Sequence, residues 1–223
     1  MTTIIFDMDG TLFQTDSVLE GALEKTFDYL RQTDRWQGET PIEQYLAILG
    51  APMHVVWETI MPSASHEERQ VADQAFWDFL LEEIRLDHGK LYPNVGKTLE
   101  ELYQLGYDLY VASNGFMRYL QAIVDHYGFT SYLKDIYGAD RFETASKTEL
   151  VAKLVRDYRI EGGVMVGDRS SDLTAGADAK LVTIGCLYGY GTKDELDSAD
   201  VLVEDISEIR SIVSQRLENH QKR

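Results

Sequence analysis

Ile4-Ile5-Phe6-Asp7-Met8-Asp9-Gly10-Thr11 is the stretch on which the fold turns. A short apolar run, Ile4 to Phe6, ends in two carboxylates two residues apart. The run reads as a buried strand, and the carboxyl ends of strands in open α/β sheets are where ligands bind. Side chains two apart in an extended chain point the same way. Asp7 and Asp9 are therefore expected to face one pocket, provided the backbone stays extended through Met8. Two buried like charges repel, so the pair requires a bound cation, a shared proton or both.

The chain has two textures. From Tyr92 onward, strand and helix patterns alternate. Strands are predicted over Tyr107–Ala112, Asp135–Gly138, Gly163–Val166, Leu181–Gly185 and Val201–Val203. Helices are predicted over Val95–Leu105, Phe116–Tyr127, Lys147–Tyr158, Ser171–Ala177 and about Ile206–Leu217. That alternation predicts an α/β fold, a parallel sheet covered by helices on both faces, with Thr3 to Phe6 as one of its strands. Between Thr15 and Asp87 the pattern is helical only. Leu19, Ala22, Leu23, Thr26, Phe27 and Leu30 recur at helical spacing, as do Ala72, Ala75, Phe76, Phe79 and Leu80. Pro41 and Pro52 suit first turns of short helices, and Gly50 a helix end. The organisation expected is a sheet domain from residues 1–14 and 89–223, with an all-helical insertion at 15–88. Hinges are expected near Gln14–Asp16 and His88–Lys90.

Composition narrows the function. Lys+Arg 21 against Asp+Glu 38 gives a net charge of −17, which argues against nonspecific nucleic-acid binding and against anionic membranes. Cys186 is the only cysteine, so no intrachain disulfide is possible and a cytoplasmic location is the default expectation. The N-terminal residues read as a strand rather than a secretion signal, and no apolar run is long enough to span a bilayer. The sequence assigns no oligomeric state.

Three more places follow predicted strands and carry chemistry. Ser113-Asn114-Gly115 follows Ala112; a hydroxyl and backbone N–H groups at a helix start make an anion site, though a plain N-cap has the same look. Ser146-Lys147-Thr148-Glu149 fits a capping box and places Lys147 in a first helical turn, where a cation opposes the helix dipole. A charge so placed serves something negative nearby, unless it is an ordinary surface lysine. Gly167-Asp168-Arg169-Ser170-Ser171-Asp172 follows Gly163–Val166 and offers a carboxylate at another strand end; Asp172 alone reads equally as a helix cap. Together Asp7, Asp9 and Asp168 bring three carboxylates to one place, the oxygen-rich setting that Mg²⁺ prefers. Ser113 and Lys147 add a donor and a positive charge. A hard cation, an anion hole and a carboxylate nucleophile suit phosphoryl transfer.

These residues, in this order, resemble the haloacid dehalogenase-like superfamily of hydrolases. The helical insertion resembles the small cap of its phosphoglycolate-phosphatase-like branch, and Leu181–Ala199, with Tyr188-Gly189-Tyr190-Gly191, resembles that branch's tail. Gln14 departs from the Asp found in many relatives, and Lys147 lacks the proline that commonly follows it. The resemblance implies a Rossmann-like core and an Mg²⁺-dependent phosphatase acting on a small phosphorylated metabolite. It implies Asp7 as nucleophile, Asp9 as acid and base, and a metal held by Asp7, the Asp9 carbonyl and Asp168. Ser113, Asn114 and Lys147 would bind the phosphoryl group, with Asp172, Gly10 and Thr11 in support, Thr11 by orienting Asp9. Gly50, Met53 and His54 are candidates for specificity, and the cap aromatics for packing. A phosphomutase of the same superfamily is the alternative, with a phospho-Asp signalling module less well matched because such modules are shorter and lack the insertion. A dehalogenase has no use for the acid at Asp9.

Overall fold

The computed structural model describes residues 3–48, 53–142 and 144–221. The chain divides into two compact units, Met1–Gln14 with Lys90–Arg223, and Thr15–Gly89.

The first unit is built on a sheet of six parallel strands. They are β1 (Thr3–Phe6), β2 (Asp108–Ala112), β3 (Leu133–Tyr137), β4 (Gly163–Gly167), β5 (Val182–Cys186) and β6 (Val201–Val203), in the order β3-β2-β1-β4-β5-β6. β1 is central: Thr3–Phe6 pairs with Asp108–Val111 on one side and with Gly163–Val166 on the other. All four of its residues are buried. Parallel strands covered on both faces have no solvent side, which is why β1, β2 and β4 read as apolar runs rather than alternations. On one face Ile5, Tyr110 and Met165 pack against Leu150, Val151, Leu154 and Ala175. The helices of this unit are α5 (Val95–Gln104), α6 (Met117–His126), α7 (Lys147–Asp157), α8 (Ser170–Asp178) and α9 (Glu208–Gln221). Strand order reverses between β1 and β4, so the crevice at their carboxyl ends is the topological switch point where ligands bind in such sheets. Asp7 follows β1 and Asp168 follows β4, so both lie there.

The elements correspond to the predicted ones with ends shifted by a few residues. β3 begins at Leu133 rather than Asp135, and Phe116 is the extended residue before α6 rather than its first turn.

The second unit holds α1 (Asp16–Gln32), α2 (Ile42–Leu46), α3 (Met53–Ile60) and α4 (His66–Arg85). Pro41 is the residue before α2, not within its first turn. A reciprocal capping box starts α4: the Glu68 N–H donates to Ser65 Oγ at 3.2 Å, and the Ser65 N–H to Glu68 Oε2 at 2.7 Å. The aromatic residues form the core of this unit. Phe76 lies with its ring centroid 5.9 Å from Tyr45, 5.9 Å from Trp57 and 6.0 Å from Trp77. Buried Glu83 is held by Lys25 at 2.8 Å and His88 at 2.7 Å, so its charge is compensated. Gly50 and Pro52 lie outside the described residues. Met53 is half-buried and His54 exposed at the start of α3. No described helix is long and apolar enough to cross a membrane.

Candidate active site

The loop after β1 sets the site. The Asp7 N–H still donates across the sheet to the Val166 carbonyl at 2.9 Å. Beyond Met8 the chain turns sharply: the N–H groups of Leu12 and Phe13 both reach the Met8 carbonyl at 2.9 Å. Gly10 makes this turn with φ +76°, and a Cβ there would lie 2.2 Å from Asp168 Oδ2. Any larger residue is excluded both by that backbone and by the carboxylate. The turn sends Asp7 and Asp9 to different partners.

Asp7 is buried, with Lys147 Nζ 2.6 Å from its Oδ1. Lys147 opens α7, buried, and its amine also lies 2.9 Å from Asp172 Oδ1. Ser146 caps that helix by accepting from the Glu149 N–H at 3.2 Å. Asp172 is fully buried, and its Oδ2 accepts from the Arg169 N–H at 3.1 Å, which closes the first turn of α8. One carboxylate thus both caps α8 and pairs with the Lys147 amine. Asp168, also fully buried, accepts from the Thr11 hydroxyl at 3.3 Å and from the Tyr190 N–H at 2.8 Å.

Among the described residues, the carboxylates that converge are Asp7, Asp168 and Asp172, each offering an oxygen within 4.8 Å of the others. The Asp9 carboxylate is outside that group and has its own partners. Its Oδ1 accepts from the Tyr119 hydroxyl at 2.6 Å, and its Oδ2 from Ser113 Oγ at 3.4 Å. Ser113 Oγ in turn accepts from the Gly115 N–H at 3.0 Å. Asn114 sits exposed in the turn after β2. The Thr11 hydroxyl, which the resemblance assigns to orienting Asp9, donates to Asp168, following the bend at Gly10.

Electrostatics follow from burial. Burial pushes the Asp7 carboxyl well above its ordinary range; Asp172 adds to the effect and Lys147 opposes it. Burial alone would lower the Lys147 amine, but the charges of Asp172 and Asp7 outweigh it and hold the amine above its usual value. Asp168 is pushed up to about 6, chiefly by burial, with the Tyr190 N–H pulling the other way. Three buried carboxylates against one buried ammonium leave an excess of negative charge. All the converging donors are hard oxygens. That donor set and that charge fit a divalent oxygen-seeking cation such as Mg²⁺ or Mn²⁺.

The loop after β5 contributes groups that sequence reasoning missed. Gly189 packs so tightly that a Cβ would lie 2.3 Å from Asp168 Cβ and 2.4 Å from the Gly10 carbonyl. The Tyr188 hydroxyl donates to the Thr11 carbonyl at 3.1 Å. Glu195 accepts from Arg169 Nε and from the Ser170 N–H, both at 2.9 Å. The Gly-Tyr-Gly spacing was the available signal, since small residues mark close approach of backbone to a site. At the other edge, Gln14 donates to the Leu91 carbonyl at 2.7 Å, and its N–H to the Lys90 carbonyl at 2.8 Å. It ties together the two chain segments that leave and re-enter the sheet unit.

The description "haloacid dehalogenase-like hydrolase" matches residues 1–180 of this chain as a family. The chain belongs to the haloacid dehalogenase-like hydrolases. Two phosphoglycolate phosphatases are similar to it over nearly the full length of both proteins. That of Vibrio cholerae is 29% identical over 225 residues, covering 94% of this chain and 96% of the relative. That of Vibrio parahaemolyticus is 26% identical over 222 residues, covering 95% of each. The crystal structure of a predicted phosphoglycolate phosphatase from Haemophilus somnus shares the fold, with a TM-score of 0.77 at 22% identity, over 96% of this chain and 98% of that one. As a haloacid dehalogenase-like hydrolase, the protein is a phosphoric monoester hydrolase of the phosphoglycolate-phosphatase-like kind.

A raised Asp168 pKa has a consequence for stability. The folded, metal-free chain binds that proton more tightly than the unfolded chain does. The associated stability is present below about pH 4 and lost as pH rises through about 6, a cost on the order of 3 kcal/mol at neutral pH. A cation bound at the carboxylates would offset it. The rise in Tm on adding MgCl2 is therefore expected to be larger near pH 7.5 than near pH 5.5. Equal shifts at the two pH values in thermal melts would remove Asp168 from the cation site.

Proposed function

We propose that this haloacid dehalogenase-like hydrolase releases phosphate from a small phosphorylated metabolite through an aspartyl-phosphate on Asp7, with Mg²⁺ as its cation. The observation that carries the reading is the Lys147 amine placed between Asp7 at 2.6 Å and Asp172 at 2.9 Å, inside a buried carboxylate cluster at the switch point of the sheet. Asp7, Asp168 and the Asp9 backbone carbonyl would hold the cation, with Asp172 holding the Lys147 amine in place and Thr11 and the Tyr190 N–H holding Asp168. The cation supplies charge neutralisation for the phosphoryl oxygens and for the carboxylate cluster.

Asp7 attacks phosphorus in line; the phosphorus–oxygen bond to the leaving alkoxide breaks, and Asp9 gives that oxygen its proton. In the second half, Asp9 takes a proton from water as the water oxygen attacks the aspartyl-phosphate. The bond to Asp7 breaks, inorganic phosphate leaves and the Asp7 carboxylate is restored. Lys147, Ser113 and Asn114 present positive charge and donors to the transferring group. The helical unit is read as a cap that selects the leaving group, with Met53 and His54 as its candidates. The single thiol, Cys186, is buried and free, which suits a reducing compartment such as the cytoplasm.

Phosphoglycolate stands first in a substrate panel, because the relatives above are named for it. With MgCl2 present, purified protein is expected to release phosphate from at least one metabolite of a broad panel, and none after EDTA. Absence of Mg²⁺-dependent release across the panel would overturn the assignment.

A further inference from the structure

We propose that Tyr119 is a positioning residue for Asp9, an inference that rests on Asp9 being the proton donor and acceptor of the reaction above. Tyr119 lies in the first turn of α6 and is only 3% exposed. Its hydroxyl is 2.6 Å from Asp9 Oδ1, the length of a charge-assisted O–H···O⁻ bond, among the stronger kinds in proteins. Its ring meets Phe13 edge-on, with centroids 6.3 Å apart and planes at 73°. Phe13 is fully buried and belongs to the same loop as Asp9, bridged to it and accepting from the Gly10 N–H at 3.0 Å. One side chain therefore grips that loop twice, through the ring at residue 13 and through the hydroxyl at residue 9.

The arrangement matters because the second donor to Asp9 has other work. Ser113 Oγ reaches Asp9 Oδ2 at the long distance of 3.4 Å, and it is the group read as a phosphoryl donor. When Ser113 turns to the phosphoryl group, Tyr119 keeps the Asp9 carboxyl aimed. The hydroxyl of Tyr119 is spent on Asp9, so its removal is expected to act on proton transfer, while the ring, which packs near Gly115, is kept in the test variant below.

Tyr119→Phe keeps the ring and removes the hydroxyl, so its Tm and its MgCl2-induced Tm shift are expected to match the parent within a few degrees. With phosphoglycolate, or the best alkyl phosphate of the panel, kcat is expected to fall about 10- to 100-fold with KM unchanged. With 4-nitrophenyl phosphate the leaving group needs no proton. Transfer of phosphorus to Asp7 should then run at the parent rate, giving a burst of one nitrophenolate per site, while the later hydrolysis, which needs Asp9 as base, slows. Alkyl turnover equal to the parent's overturns the proposal. So does equal slowing of burst and turnover, which marks a packing role only. If the parent itself releases no phosphate from any ester, the underlying reading of Asp9 has failed and not the placement of Tyr119.

Discussion

Asp7→Asn is expected to lower kcat by about four orders of magnitude or more, the scale on which loss of a covalent nucleophile acts. Asparagine keeps the shape of the side chain but lacks the oxygen charge that attacks phosphorus. Two readouts check this: phosphate release with MgCl2 at saturating substrate, and covalent label on acid-quenched protein after mixing with a ³²P-phosphate ester. The variant should show neither. Its fold is expected to survive, for a physical reason. Asp7 is a buried carboxyl whose ionisation burial and Asp172 both oppose, so a neutral amide relieves a cost. Lys147 keeps Asp172 at 2.9 Å as its partner, so no cation is stranded. The metal-free variant should melt at or above the parent's Tm at neutral pH. Activity within about tenfold of the parent would remove Asp7 from the nucleophile's role.

Lys147→Met is expected to do the opposite to stability. The amine separates Asp7 from Asp172; without it, two buried carboxylates face each other uncompensated. Breaking a buried pair by removing one partner costs about 3–5 kcal/mol. Urea denaturation of metal-free protein should register that loss, and kcat/KM should fall about 10³-fold or more with the phosphoryl-side charge gone. Lys147→Arg restores the charge but presents a planar fork in place of a compact ammonium, so stability should recover further than activity. A Lys147→Met protein as stable as its parent would show that the cation is incidental to the cluster.

Much of the site was legible because its residues sit where strands end. Asp7 and Asp168 follow apolar runs that only a two-face-buried parallel strand explains, and Lys147 stood out as a cation at the wrong end of a helix. What escaped had physical reasons. Tyr119 falls on the apolar face of α6, where an aromatic side chain reads as core; its hydroxyl partner is 110 residues away in sequence. The Tyr190 contact to Asp168 is made by a backbone N–H, which every residue but proline carries, so no side-chain pattern reveals it. The resemblance implied that Thr11 orients Asp9, whereas its hydroxyl donates to Asp168, 157 residues away, across the turn that Gly10 makes at φ +76°. The same bend lets Asp7 and Asp9, adjacent in pattern, take different partners, Lys147 and Tyr119.

The central place of β1 bears on how the protein is made. This strand leaves the ribosome before either neighbour, since its register partners begin at Asp108 on one side and Gly163 on the other. The four apolar-flanked residues Thr3–Phe6 must wait unpaired while both neighbours are synthesised, since long-range parallel pairing is slow to close. The helical unit, continuous over Thr15–Gly89, has no such wait and can collapse on local contacts. A nascent chain thus exposes an apolar strand until both of its neighbours are made. The net charge of −17 opposes association of such chains through their mutual repulsion.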